Sequence, residues 1–237
     1  MRRISWLVAA LLLSVGAGAG AQASNPGTEA KPAPAAKIAT EKVEWTWSDR
    51  PETPDAHLPN VLLLGDSITR NYYPEVVKKF AGVANVYLFA TSAGTCDPRL
   101  ALQLREYFGM LDVSYSAIHF NSGLHGWGCT EQEYAAGLSS LIATLRLDAP
   151  HAWLIWATTT LARPGSAMGR SENARIVERN RLAAEIMHHE GIPIDDQGAL
   201  MKPHPELYVD DGHFNQQGSA LQAAQAVFSI SETPPGH

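Results

Sequence analysis

Short, wholly apolar runs alternate with longer amphipathic segments along most of this chain. Val61–Leu64 is one such run, and it stops at Gly65-Asp66-Ser67. A run of this length with no polar face suits a strand buried on both sides. Val86–Ala90, Ala117–Asn121, Ala152–Thr158 and Ile192–Ile194 are read as four further strands. Between and after them lie helical segments. These are Tyr73–Phe80; Arg99–Met110, with Leu100, Leu102, Leu104 and Phe108 mostly on one side; Glu131–Leu147, with Tyr134, Leu138, Leu141 and Leu145 at helical spacing; Ser171–Glu190; and Gln217–Ile230. Ser171 is the expected N-cap of the longest helix and Gly191 its C-terminal stop. Strand–helix alternation predicts an α/β protein, a doubly wound parallel sheet covered by helices on both faces in three layers. Sites in such sheets lie beyond the carboxyl ends of the strands. The loops to inspect are therefore 65–71, 91–98 and 121–130.

The ends of the chain read differently from its middle. Arg2 and Arg3, an apolar stretch over 4–20 and Ala21-Gln22-Ala23 have the make-up of a signal peptide cleaved after residue 23. Residues 24–42, rich in Ala, Pro, Lys, Gly and Thr, show no apolar periodicity and read as a flexible linker. Residues 43–237 suffice for one domain with its own core. Loss of the signal peptide lowers Lys+Arg from 18 to 16 against 24 Asp+Glu, a net charge of −8. With no basic cluster to hold phosphates, the chain is a poor match for nucleic acid. No later run is long enough to span a bilayer. An exported chain, periplasmic or secreted, meets an oxidising compartment, so Cys96 and Cys129 are expected to pair.

Two distant segments carry candidate chemistry. In VLLLGDSIT, Ser67 stands on a strand-to-helix turn, where a hydroxyl is exposed and amides are free. Its competing role is helix N-cap. In VDDGHFN, Asp210 precedes His213 by three residues, just before the last helix. The pair suits a base and the carboxylate that orients it, and its competing role is Asp-Gly turn chemistry. Asp211, two residues before His213, is the rival orienter. Acyl transfer needs a hydroxyl, a base and an orienting carboxylate, and these segments supply one of each.

In these residues the chain resembles the SGNH/GDSL hydrolases, which cleave carboxylic esters on a flavodoxin-like three-layer fold. That family's first block, Gly-Asp-Ser after an apolar strand, is matched by Gly65, Asp66 and Ser67, and its last, Asp-x-x-His, by Asp210 and His213. The resemblance implies Ser67 as nucleophile, His213 as base and Asp210 as orienter. It also implies the amides of Ser67 and of Gly94, in TSAGTCD, as oxyanion donors. The third block departs from the family's Gly-x-Asn-Asp. With Gly123 aligned, NSGLHGW puts His125 at the asparagine position and Gly126 at the aspartate position. A neutral imidazole N–H can donate as an amide does, so His125 is the expected third donor and Asn121 the alternative. A Cys96–Cys129 bridge would stiffen the loops that flank these donors. The implied activity is that of an exported serine esterase working through an acyl-enzyme on a small ester or acylated glycan, with deacetylation of a glycan as one form. The alternatives are acyl transfer to a glycan and a non-catalytic glycan-binding module. No metal or cofactor is implied.

The remaining polar residues have simpler assignments. His188 and His189 suit a helix C-terminus. His119 reads as a satisfied sheet residue, and His151 and His204 as loop residues. Asp195 and Asp196 read as turn formers. Trp45 and Trp47 read as packing for the N-terminal segment. Loop 161–170 is a surface connection from which Arg163 or Arg170 could reach substrate.

Overall fold

Val61–Leu64 falls in strand β2 (Asn60–Gly65), inside a six-stranded sheet. The computed structural model describes residues 41–232. The expected signal peptide, and all of the expected linker but its last two residues, lie outside the described residues. The sheet order is β1-β3-β2-β4-β5-β6, with β1 at Thr46–Asp49, β3 at Asn85–Thr91, β4 at Ala117–Phe120, β5 at Trp153–Ala157 and β6 at Ile194–Asp195. All pairings are parallel except β1 with β3. The helices are α1 (Ser67–Lys79), α2 (Arg99–Leu111), α3 (Glu131–Asp148), α4 (Ala167–Glu190), α5 (Gln197–Met201) and α6 (Gln216–Ser231). Among the described residues no helix is long and apolar enough to cross a membrane.

Successive side chains of a strand point to opposite faces, and β2 supplies both core layers. Leu62 and Leu64 join Tyr87, Phe89, Ile118 and Phe120 against Leu104, Tyr107, Leu138 and Leu145 of α2 and α3 and Ala183 and Met187 of α4. Val61 and Leu63 join Val86, Leu88 and Ala117 against Tyr72 and Val76 of α1 and Ala223, Ala226 and Ile230 of α6. Each buried Val, Leu, Ile, Phe or Met among them is worth about 1.5–3 kcal/mol of burial. The result is the three-layer, doubly wound arrangement expected from the sequence.

Four local expectations are corrected. Strand β1 has no counterpart among the five expected strands. Its residues are all exposed, so it has no apolar alternation to read. It is held by its ladder to β3 from Thr46↔Thr91 to Asp49↔Leu88. Helix α1 begins at Ser67 instead of Tyr73, because the Asp66 side chain accepts from Ile68 N at 2.9 Å and caps it there. Helix α4 begins at Ala167, capped by Ser166, whose Oγ accepts from Gly169 N at 2.9 Å. Ser171 lies inside the helix, and its hydroxyl donates back to the Ala167 carbonyl at 3.2 Å. Asp195 is no turn former. It is buried at the end of β6, where its Oδ2 stands 2.7 Å from Nε2 of the wholly buried His119 and accepts from Gln197 Nε2 at 2.9 Å.

Candidate active site

The carboxyl ends of β2, β3 and β4 bring three loops together, and the loop before α6 approaches from the side. Ser67 is the first residue of α1. Asp66 does the capping, so the Ser67 hydroxyl is left for another partner. That partner is His213, whose Nε2 lies 2.7 Å from Ser67 Oγ across 146 residues of sequence. His213 Nδ1 stands 2.8 Å from Asp210 Oδ2 and 3.0 Å from Oδ1.

The three-residue offset works because Asp210 first folds its own turn. Its Oδ1 accepts from Gly212 N at 2.8 Å and His213 N at 2.7 Å. A bridge between Tyr208 and Phe214, with ring centroids 4.3 Å apart, closes the turn behind. Burial pushes the Asp210 carboxyl up. The two backbone N–H groups and the His213 ring outweigh it and hold the group below its ordinary value. The rival, Asp211, faces away. Its carbonyl accepts from Arg163 N at 2.8 Å, and its carboxylate takes long contacts of 3.4 Å from Arg163 Nη2 and Met168 N. Arg163 thus braces this turn, and Arg170 donates to the Gly165 carbonyl. Neither lines the space above Ser67.

That space is an open depression of about 520 Å³. Ser67, His213, Asp210 and His125 line it, with Trp45, Arg70, Asn71 and Val209 completing its wall. Gly94 sits beside it, packed on the next loop. A Cβ on Gly94 would lie 3.0 Å from Gly126 Cα, and Gly126 itself has φ +72°, where L side chains are strained. A side chain at either position would crowd the other loop. The Cys96–Cys129 disulfide joins the same pair of loops.

The two candidate third donors separate clearly. Asn121 is buried, and its amide donates to the Ala157 carbonyl at 2.7 Å and to Thr159 Oγ1 at 3.0 Å. Both amide hydrogens are engaged in tying the chain just after β4 to the end of β5 and the residues that follow it. His125 lines the depression, with its Nδ1 2.9 Å from Glu41 Oε1. A neutral ring has one N–H, and the Glu41 carboxylate beside Nδ1 competes for it. Burial pushes His125 down. Glu41, with Asp66 and Glu44 nearby, outweighs burial and raises its affinity for a proton.

Sequence reasoning missed three supports of this site. Arg179 is fully buried and donates to the carbonyls of Gly123 (2.9 Å), His125 (2.8 Å) and Gly126 (3.0 Å). Its signal was present: it shares the apolar stripe of Ile176, Ala183 and Met187 along α4. Arg175, one turn earlier, donates to Trp127 O at 3.0 Å and Cys129 O at 2.5 Å and pairs with Glu131. Glu41 had no local signal, since it lies 84 residues from His125 in a segment read as linker. The tryptophans fall partly as expected. Trp45 packs against the core, while Trp47 is half exposed beneath the Arg70 guanidinium, 4.2 Å from its ring centroid.

The six-stranded, mostly parallel sheet flanked by helices matches solved structures of SGNH/GDSL hydrolases, and the protein has that fold. It is similar to the lipase/acylhydrolase from Enterococcus faecalis, with 20% identity, 76% of this chain and 100% of that one covered, and a TM-score of 0.60. It is similar also to the aryl esterase of M. smegmatis, at 13% identity with 74% and 100% covered and a TM-score of 0.61. The C-terminal catalytic domain of Streptococcus pneumoniae peptidoglycan O-acetyltransferase A, bearing a methylsulfonyl adduct, is similar at 17% identity, 75% and 97% coverage and a TM-score of 0.55. No protein-family model matches the sequence, and no curated protein matches it. At these identities the likeness carries the fold, and the chemistry must be argued from the site.

Proposed function

We propose that the protein is a serine esterase that hydrolyses small carboxylic esters, acetyl groups on a glycan among them, through an acyl-enzyme on Ser67. The observation that carries this is the continuous line from Ser67 Oγ to His213 Nε2 (2.7 Å) and from His213 Nδ1 to Asp210 Oδ2 (2.8 Å). His213 takes the Ser67 proton as Oγ bonds to the ester carbon, and the carbonyl electrons move to oxygen. Asp210 holds the ring and stabilises the imidazolium. The amides of Ser67 and Gly94, with His125, receive the oxyanion. As the tetrahedral adduct collapses, the alcohol leaves with the proton from His213. Water then repeats the sequence on the acyl-enzyme, losing its proton to His213, and releases the acid and free Ser67.

Openness favours water over a sugar hydroxyl as the second acceptor. The His213 side chain is 35% exposed and that of Asp210 55%. Among the described residues the depression is open, walled by Arg70, Asn71 and Asp210 beside Trp45 and Val209, so it encloses no long acyl chain. The proposal includes export, which the signal-peptide pattern of residues 1–23 supports. The test is acid release from an aryl acetate, an aryl octanoate and acetylated glycans by the protein and by Ser67→Ala. Acetate release that Ser67→Ala abolishes supports the proposal. Turnover that survives Ser67→Ala, or none on any ester, rejects it.

A further inference from the structure

His125 is offered above as an oxyanion donor, and the inference here rests on that function. Glu41 Oε1 lies 2.9 Å from His125 Nδ1, and the same oxygen accepts the Gly126 N–H at 3.2 Å. A carboxylate only accepts, so Nδ1 carries the hydrogen. A neutral ring in that tautomer presents a bare lone pair at Nε2, which repels an oxyanion. Only the imidazolium has a hydrogen at both nitrogens. Nε2 has no hydrogen-bond partner among the described residues, and the ring lines the depression that holds Ser67.

Glu41 is delivered to this position by a pinned segment. Ser92 Oγ accepts from Trp45 N at 2.9 Å and donates to Glu44 Oε2 at 2.8 Å, and Ser92 N donates to Trp45 O at 3.1 Å. Arg99 Nη2 meets Glu44 Oε1 at 3.1 Å, and β1 then runs along β3. The Trp45 ring stands edge-on to the His125 ring with centroids 5.8 Å apart. From the other side Arg179 holds the His125 carbonyl. His125 is therefore held at its ring nitrogen, against the Trp45 ring and at its backbone carbonyl.

The charged groups around His125 come from every neighbouring element. Glu41 and Glu44 approach from the N-terminal segment, and Asp66 from the β2–α1 turn. Arg70, His213 and Asp210 share the depression. Arg179, and Arg175 paired to Glu131, lie behind the loop. The carboxylates raise the proton affinity of His125 against the burial that lowers it.

We infer that Glu41 is a positioning residue that holds His125 as an imidazolium, so that the oxyanion is met by a charged N–H. Catalysis is then confined to the pH range in which His125 is protonated. The rate falls as pH climbs through the titration of His125.

The test is the pH profile of kcat/KM on an aryl acetate for the full chain, Glu41→Gln, Glu41→Ala, His125→Asn and Ser67→Ala. Glu41→Gln keeps an acceptor for Nδ1–H but loses the charge. Its alkaline limb should move acidward by about one pH unit, with peak activity within about tenfold of the parent. Glu41→Ala should lose about a hundredfold or more at its peak. His125→Asn substitutes an uncharged amide donor, so its alkaline limb should disappear. Nitrogen NMR of the His125 ring at the activity maximum, which needs no variant, should show both nitrogens protonated. Superimposable alkaline limbs in the parent and Glu41→Gln, or a neutral His125 ring at the maximum, would overturn the inference. Activity surviving in Ser67→Ala would instead overturn the esterase function itself, so the two failures are distinct.

Discussion

Replacing Arg179 with Met tests how the loop that carries His125 is held. The guanidinium is 0% exposed and donates to three carbonyls at 2.9, 2.8 and 3.0 Å. It also lies 4.4 Å from the Trp127 ring centroid and 5.0 Å from that of Tyr134. Met keeps most of the aliphatic stem and removes every donor. A buried carbonyl left without a donor costs about 1–3 kcal/mol, so three cost about 3–9 kcal/mol. Deleting the cation recovers its desolvation, which is several kcal/mol. Taking the middle of the first range, about 6 kcal/mol, against about 3 kcal/mol recovered leaves a loss of about 3 kcal/mol. For a domain of this size that lowers Tm by about 6–12 °C. Because Gly123, His125 and Gly126 all lose their anchor, kcat/KM on an aryl acetate should fall as well. Urea and thermal unfolding, with initial rates measured well below Tm, give both quantities. Arg179→Lys should fall between, because one ammonium cannot reproduce the planar fork. A stability loss under about 1 kcal/mol with kcat/KM intact would refute this reasoning.

Other expectations follow from the same geometry. Asp210→Asn should lower kcat about 10⁴-fold by disturbing the His213 tautomer, whereas Asp211→Asn should stay within about tenfold, as steady-state kinetics on one ester will show. The Cys96–Cys129 bridge closes 33 residues. By loop entropy the double Cys→Ser variant should lose roughly 3–4 kcal/mol in denaturant titrations, and intact mass with and without reductant will report the bridge. Burial pushes the Asp195 carboxyl up, but hydrogen bonds from His119, Gln197 and Gln225 outweigh it and hold it below its ordinary value. Its contribution to stability is therefore complete above the unfolded aspartate range and is lost as pH falls through the lower folded value. Asp195→Asn should cost stability at pH 7 and flatten the acid limb of the stability profile.

Much of this arrangement was legible because its signals are local. An apolar run ending in Gly-Asp-Ser places Ser67 at a strand end, and Asp210 and His213 lie within one turn of each other. The helix starts were harder. Asp66 and Ser67 are both good caps, as are Ser166 and Ser171, and only the folded backbone shows which side chain meets an N–H. Strand β1 was illegible because an exposed edge strand is held by its ladder, which leaves no pattern of apolar residues. Asn121 and His125 lie four residues apart, and sequence ranked them only on alignment. What separates them is that Ala157, at the end of β5, and Thr159, two residues beyond it, take both hydrogens of the Asn121 amide. Glu41 was beyond reach for a plainer reason, since a contact across 84 residues has no periodicity to betray it.

The central claim is that Ser67 is a nucleophile activated by His213. A fluorophosphonate probe followed by peptide mass spectrometry tests it without knowledge of the substrate. One phosphonyl adduct is expected, located on Ser67, absent in Ser67→Ala and formed at least about a hundredfold more slowly in His213→Ala. An unlabelled protein, or an adduct on any other residue, would contradict it.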